Sequence, residues 1–248
     1  MKRFILSALA LALVSSAAFA TSPTGQKQAE GFPPEYSSAF TRATQAVGVD
    51  AVDGQLATQL PHLKELAQQG DVTAAAQLFV SVAECDAWAT NSPTSAYSAA
   101  HCAGITKDDM SQVGKWLELA AELGNTYAQY GYAQGGFDYV LGLEKAKKDP
   151  AALDAYAKKS RAYLDGLAKQ CNFDGIGGLA SDLGRDGIVF KKDVDEAYKF
   201  LVVEQTIARV PSSANATYEA ELEGQISPAS KIVSLRRDAL AFVDQYCR

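Results

Sequence analysis

Leu117-Glu118-Leu119-Ala120-Ala121-Glu122-Leu123-Gly124-Asn125-Thr126-Tyr127-Ala128-Gln129-Tyr130-Gly131-Tyr132 is the stretch on which the fold turns. Its first half ends a leucine-rich helical turn. Gly124 suits the left-handed residue that closes a helix. Asn125 suits the N-cap of the next helix, because its side-chain oxygen can accept from a backbone N–H left without an intrahelical partner. Two other segments align with it without gaps: Leu63 to Leu78 (LKELAQQGDVTAAAQL) and Leu164 to Leu179 (LDGLAKQCNFDGIGGL). Ala67, Ala121 and Ala168 correspond, as do Gly70, Gly124 and Cys171, then Asp71, Asn125 and Asn172. Three residues on stand Ala74, Ala128 and Gly175, small enough for two helices to approach closely. A helix-turn-helix unit therefore recurs about every 50 residues. In the third copy a cysteine replaces the closing glycine, at some cost in backbone freedom, and sets a thiol at the turn.

Across the rest of the chain, abundant Ala, Leu, Gln, Glu and Lys with few β-branched runs favour helix. The pattern predicts helices near 35–47, 53–69, 73–88, 109–123, 126–138, 151–170, 173–184, 193–209 and 228–246. Pro150 and Pro228 fit the first turns of two of these. In the last, Ile232, Leu235, Ala239, Phe242 and Val243 keep helical spacing and make a cap for the end of the repeats. Residues 21–34 read as a flexible leader, 35–210 as the repeat domain, and 211–248 as a connecting loop followed by the cap helix.

The N-terminus has the form of a secretory signal: Lys2 and Arg3, an apolar run from Phe4 to Val14, then Ala18-Phe19-Ala20 as a small-x-small cleavage site. Thr21, not cysteine, follows the cut, which argues against a lipid anchor. Residues 1–20 are accordingly expected to be removed, leaving a periplasmic or secreted protein. No later run approaches the ~18 apolar residues of a membrane span. The formal net charge of the 248-residue chain is −6 and becomes two units more negative without Lys2 and Arg3. An acidic chain without a long basic cluster argues against nucleic acid and anionic lipid as partners.

Four cysteines lie beyond the cleavage site: Cys85, Cys102, Cys171 and Cys247. An even count in an exported chain points to two disulfides, with three pairings open. Cys85–Cys102 and Cys171–Cys247 is the preferred pairing. The first closes a short polar loop, and the second pins the cap helix to the body. Loop entropy makes them worth roughly 3 and 4–5 kcal/mol. The competing reading is a zinc site using His101, but no paired Cys-x-x-Cys or His-x-x-x-His spacing supports it. No metal and no cofactor are expected.

Catalytic constellations are scarce. His62 and His101 are the only histidines, and neither stands at a recognisable motif spacing from a nucleophile; both read as ordinary surface or loop residues. G-x-S-x-G, H-E-x-x-H, the phosphate-binding G-x-x-x-x-G-K-[ST] and S-x-x-K are absent. Gly175-Ile176-Gly177-Gly178 sits inside a helical repeat, not after a strand, so its glycines serve close packing and not a dinucleotide. Asp193, Asp195 and Glu196 read as acids at a helix N-terminus.

Gly104-Ile105-Thr106-Lys107-Asp108, Gly114-Lys115-Trp116-Leu117, Ala120-Ala121-Glu122-Leu123-Gly124-Asn125 and Ala128-Gln129-Tyr130 together resemble the Sel-like repeat, a relative of the tetratricopeptide repeat. A second copy reads Gly187-Ile188-Val189-Phe190-Lys191-Lys192-Asp193, then Glu196-Ala197-Tyr198-Lys199-Phe200-Leu201. The resemblance covers residues 60–210 and departs from the family where Tyr132 and Ala133 replace the usual Leu-Gly. It implies an all-α, right-handed solenoid of αα-hairpins with a C-terminal capping helix. It also implies an inner groove lined by the first helix of each hairpin. Carried over residue by residue, that register puts Tyr127, Tyr130, Gln134, Phe137 and Asp138 on the groove, with Tyr132 and Trp116 in the core. The equivalent positions are Thr73, Ala76, Val80, Ala83 and Glu84 in the first repeat, and Asp174, Gly177, Ser181, Gly184 and Arg185 in the third. A competing reading packs the aromatic rings, Tyr130 above all, between neighbouring hairpins.

The expected function is protein–protein interaction by a monomer without catalytic activity, either as an envelope adaptor or as an immunity-type inhibitor of a delivered toxin. The rival is a β-lactam or cell-wall hydrolase like the cysteine-rich exported members of the family. Those carry a regular cysteine pair in each repeat, which this chain lacks.

Overall fold

A computed structural model describes residues 51–91, 96–208 and 213–248, all within the unit Pro34–Arg248. The signal segment, the leader and the predicted helix 35–47 lie outside the described residues, as does the side chain of Trp88. The described residues are all-helical, without a strand. The elements are α1 (Leu56–Gln68), α2 (Val72–Asn91), α3 (Ala96–His101), α4 (Lys107–Met110), α5 (Val113–Glu122), α6 (Thr126–Gln134), α7 (Phe137–Val140), α8 (Leu143–Lys148), α9 (Pro150–Lys169), α10 (Phe173–Leu183), α11 (Val194–Ala208), α12 (Ser213–Glu223) and α13 (Ser230–Tyr246).

The three aligned segments form the same turn. Gly70 (φ +92°), Gly124 (φ +95°) and Cys171 (φ +56°) take the left-handed conformation. The next residue's N–H reaches back in each case: Asp71 to Leu66 O at 3.0 Å, Asn125 to Ala120 O at 3.0 Å and Asn172 to Leu167 O at 2.9 Å. The cap side chains then accept from the following helix, Asp71 from Ala74 N–H at 2.9 Å, Asn125 from Ala128 at 2.8 Å and Asn172 from Gly175 at 3.0 Å. Each turn thus satisfies orphan carbonyls on one side and an orphan N–H on the other, in one tight loop. The small residues do what their size allows: Ala74 and Ala128 are buried, and a Cβ on Gly175 would overlap the Leu167 side chain.

Packing follows chain order. α1 lies on α2, α2 on α5, α5 on α6, α6 on α9, α9 on α10, α10 on α11 and α11 on α13. Two apolar clusters result. One gathers Leu56, Leu78, Trp116, Leu117 and Tyr132 from α1 to α6, with Tyr156 of α9. The other gathers Leu164, Ile176, Leu179, Leu201, Leu222 and Val243 from α9 to α13. Trp116 and Tyr132 are buried, as the repeat register requires. Tyr132 stacks on Tyr156 with ring centroids 4.8 Å apart, and the Tyr156 hydroxyl donates to the Tyr132 carbonyl.

Both preferred disulfides are present, Cys85–Cys102 and Cys171–Cys247. Asp149 N-caps α9 ahead of Pro150. Asp193 accepts from Glu196 N–H at 3.0 Å at the start of α11, while Asp195 pairs with Lys231 and Glu196 with Arg161. These acids therefore cap and pair.

Four readings need correction. Residues 211–227 are not a plain connection, because α12 occupies Ser213–Glu223. Tyr218 and Leu222 anchor it: Tyr218 donates to Ala180 O at 2.9 Å and Leu222 is fully buried. Arg236 of α13 ties it down through Glu219 (3.0 Å), Glu223 (2.8 Å) and the Tyr198 hydroxyl (2.6 Å). The last helix starts at Ser230, so Pro228 precedes it. The helix expected over 126–138 stops at Gln134, and Gly135-Gly136 separate it from α7. His101 is buried at the end of α3, its Nδ1 donating to Gly54 O at 2.6 Å. His62 is exposed.

Candidate protein-binding face

α6 begins at the Asn125 cap, which sets its rotation and so decides which side chains leave the core. With Ala128, Tyr132 and Ala133 buried, Tyr127, Tyr130 and Gln134 emerge on another side at i, i+3 and i+7 spacing. Tyr127 is 43% exposed, and its ring lies 6.5 Å from that of Phe79 on α2. Tyr130 is half-buried against the second apolar cluster. Gln134 donates to Asp182 of α10 at 2.6 Å.

The floor beside these residues is glycine. A Cβ at Gly178 would come within 2.9 Å of the Gln134 amide and 3.5 Å of the Tyr130 ring, and one at Gly177 within 3.6 Å of the Glu204 carboxylate. Three acids gather here: Asp174 and Asp182 on α10, and Glu204 on α11. Burial pushes all three carboxyls above their ordinary range, with Gln134 and Ser181 hydrogen bonds partly offsetting this at Asp182. Burial, reinforced by these same three charges, pushes the Tyr130 hydroxyl up to about 12. Among the described residues, Asp174 and Glu204 make neither a side-chain hydrogen bond nor an ion pair. The face is thus aromatic at the α2–α6 side and negative at the α10–α11 side, and its negative charge is incompletely compensated.

Asp174, Gly177 and Ser181 belong to this face, whereas several of the other expected groove residues are taken up by packing elsewhere. Phe137 packs edge-on against Tyr156, 5.6 Å between centroids, because the Gly135-Gly136 break redirects the chain before α7. Asp138 is exposed on α7. Ala76 is fully buried, and Gly184 is covered by the Tyr218 hydroxyl. Glu84 is half-buried on α2, with no hydrogen bond or ion pair to the tyrosines among the described residues. Arg185 is exposed just beyond α10, and its charge acts on Asp182.

Phe79, Asp182 and Glu204 were not foreseen. Asp182 carried a usable signal, since Asp174, Gly178 and Asp182 follow i, i+4, i+8 spacing on one helix face. Glu204 comes from the neighbouring helix and had none.

Among the described residues no helix is long and apolar enough to cross a membrane. No protein-family model matches the chain, and neither a curated protein nor a solved structure matches it.

Proposed function

We propose that this chain is an exported, monomeric helical-repeat protein that acts by binding another protein, with its helix pairs stacked as a right-handed solenoid of the Sel-like kind. The observation that carries this reading is the face where exposed Tyr127 lies one helical turn from half-buried Tyr130, which adjoins three carboxylates that lack full charge compensation. Tyrosine supplies a large, stiff contact surface at low entropic cost. Carboxylates already stripped of part of their water gain from a cationic partner and speed its capture. The partner segment is accordingly basic. Two disulfides and the signal-like N-terminus support an oxidising compartment outside the cytoplasm. In that setting the partner is either an envelope component or a toxin delivered from a neighbouring cell.

Affinity capture with residues 21–248, disulfides intact, tests the proposal. The extracts are the producing cells' envelope and the secretions of neighbouring cells. One stoichiometric partner retained by the native protein and lost by Tyr127→Ala supports it. Equal capture by both forms counts against this face.

A further inference from the structure

We propose that the Cys85–Cys102 disulfide masks a zinc site completed by His101, which opens when a dithiol reduces the bond. This goes beyond the protein-binding role and does not depend on it. Among the described residues, one group of His, Cys, Asp and Glu side chains has the grouping of a metal site. It consists of Cys85, His101 and Cys102, whose donor atoms lie within 4.8 Å of one another. Cys85 comes from α2, His101 ends α3 and Cys102 follows it, so the disulfide and the α2–α3 packing assemble the set. All three are buried.

The imidazole is oriented from outside the trio. A carbonyl can only accept, so the 2.6 Å contact to Gly54 O places the proton on Nδ1 and the lone pair on Nε2. An outer carbonyl holding the far ring nitrogen is the usual support of a zinc-bound histidine. Two thiolates on one tetrahedral zinc stand about 3.8 Å apart, from Zn–S bonds of about 2.3 Å. With Cα atoms 5.4 Å apart, side-chain rotation supplies that separation. Two thiolates and a neutral imidazole form a three-ligand set that leaves the fourth zinc position to water.

The steps balance. A dithiol passes two electrons to the protein disulfide, becoming a disulfide itself and leaving two protein thiols. Zinc then displaces two protons, one from each thiol, while the neutral imidazole binds without proton loss. The oxidised dithiol, taking back two electrons and two protons, reverses the sequence, re-forms the protein disulfide and expels the ion.

Cobalt(II), followed by zinc, is the probe, added to the full mature chain after reduction with a phosphine and exchange into oxygen-free buffer. The expected result is one cobalt per chain, a thiolate-to-cobalt charge-transfer band, tetrahedral d–d absorption and loss of both on zinc addition. Cys171→Ser should keep the signal. Cys85→Ser should abolish it, and His101→Asn should weaken binding at least tenfold. X-ray absorption of the zinc-loaded native chain, which needs no variant to fold, should give two sulfurs per zinc. Reduced native protein that retains its helical spectrum yet shows no charge-transfer band overturns the proposal. A count of four sulfurs, or a signal unchanged in His101→Asn, also overturns it.

Discussion

The Gln134 carboxamide donates to the Asp182 carboxylate at 2.6 Å, so the face that presents Tyr127 is held together across α6 and α10. It joins two helices that are distant in sequence, and it sits where α10 has glycine in place of a side chain. That placement separates the residues expected to bind a partner from those that hold the fold.

Tyr127→Ala and Phe137→Ala, equivalent on the sequence register, should behave oppositely. Tyr127 is exposed, so its truncation should change unfolding free energy by less than about 0.5 kcal/mol while abolishing partner capture. Phe137 packs on Tyr156, and because it is only partly buried its truncation should cost about 2–3 kcal/mol, somewhat less than a fully buried Phe. Urea unfolding followed by circular dichroism checks both; equal destabilisation by the two variants contradicts the assignment.

The carboxyls of Asp174, Asp182 and Glu204 titrate above their ordinary range chiefly because burial removes water from the charged form. Folding therefore favours their protonated forms. The stabilisation is complete below the unfolded carboxyl range, about pH 4, and is lost as pH rises through the raised folded values. Glu204→Gln should accordingly raise Tm at pH 7, with the gain shrinking toward pH 4. A lower Tm at pH 7 would show that Glu204 is paired in solution.

Equivalent turns should give equivalent losses. Asp71→Ala, Asn125→Ala and Asn172→Ala each remove one cap hydrogen bond and should each cost about 1 kcal/mol. Chemical denaturation of the three variants checks this. One silent position would show that its turn does not form as the others do.

Opening Cys171–Cys247, which spans 76 residues, should cost about 4–5 kcal/mol on the loop-entropy model. The paired Ser variant, compared with native protein by thermal melting without reductant, reads this directly. A loss under about 1 kcal/mol would mean that Arg236 and the buried face of α13 already hold the cap.

Much of the fold was legible because turn chemistry is local. Gly124 and Asn125 announce a helix end and a helix start within two residues, and Cys171 kept the pattern despite replacing glycine. α12 gave no clear signal because, among its described side chains, Tyr218 and Leu222 are the apolar ones packed on the core, too few positions to establish a period. The burial of His101 has no local signal, because the carbonyl it meets belongs to Gly54, distant in sequence. Half of the candidate face was readable from α6 alone. The rest required knowing that α11 brings Glu204 over Gly177 and that two glycines end α6 before Phe137.

Site-specific photo-crosslinking reads partner contact at Tyr127 itself, with a benzophenone amino acid placed at position 127 and, as control, at exposed position 62. Both proteins are expressed in the cells that produce the chain and irradiated in the presence of its natural neighbours. One discrete heavier adduct is expected from position 127, weakened by high salt, and none from position 62. No adduct from position 127, or the same set of adducts from both positions, would contradict a binding role for this face.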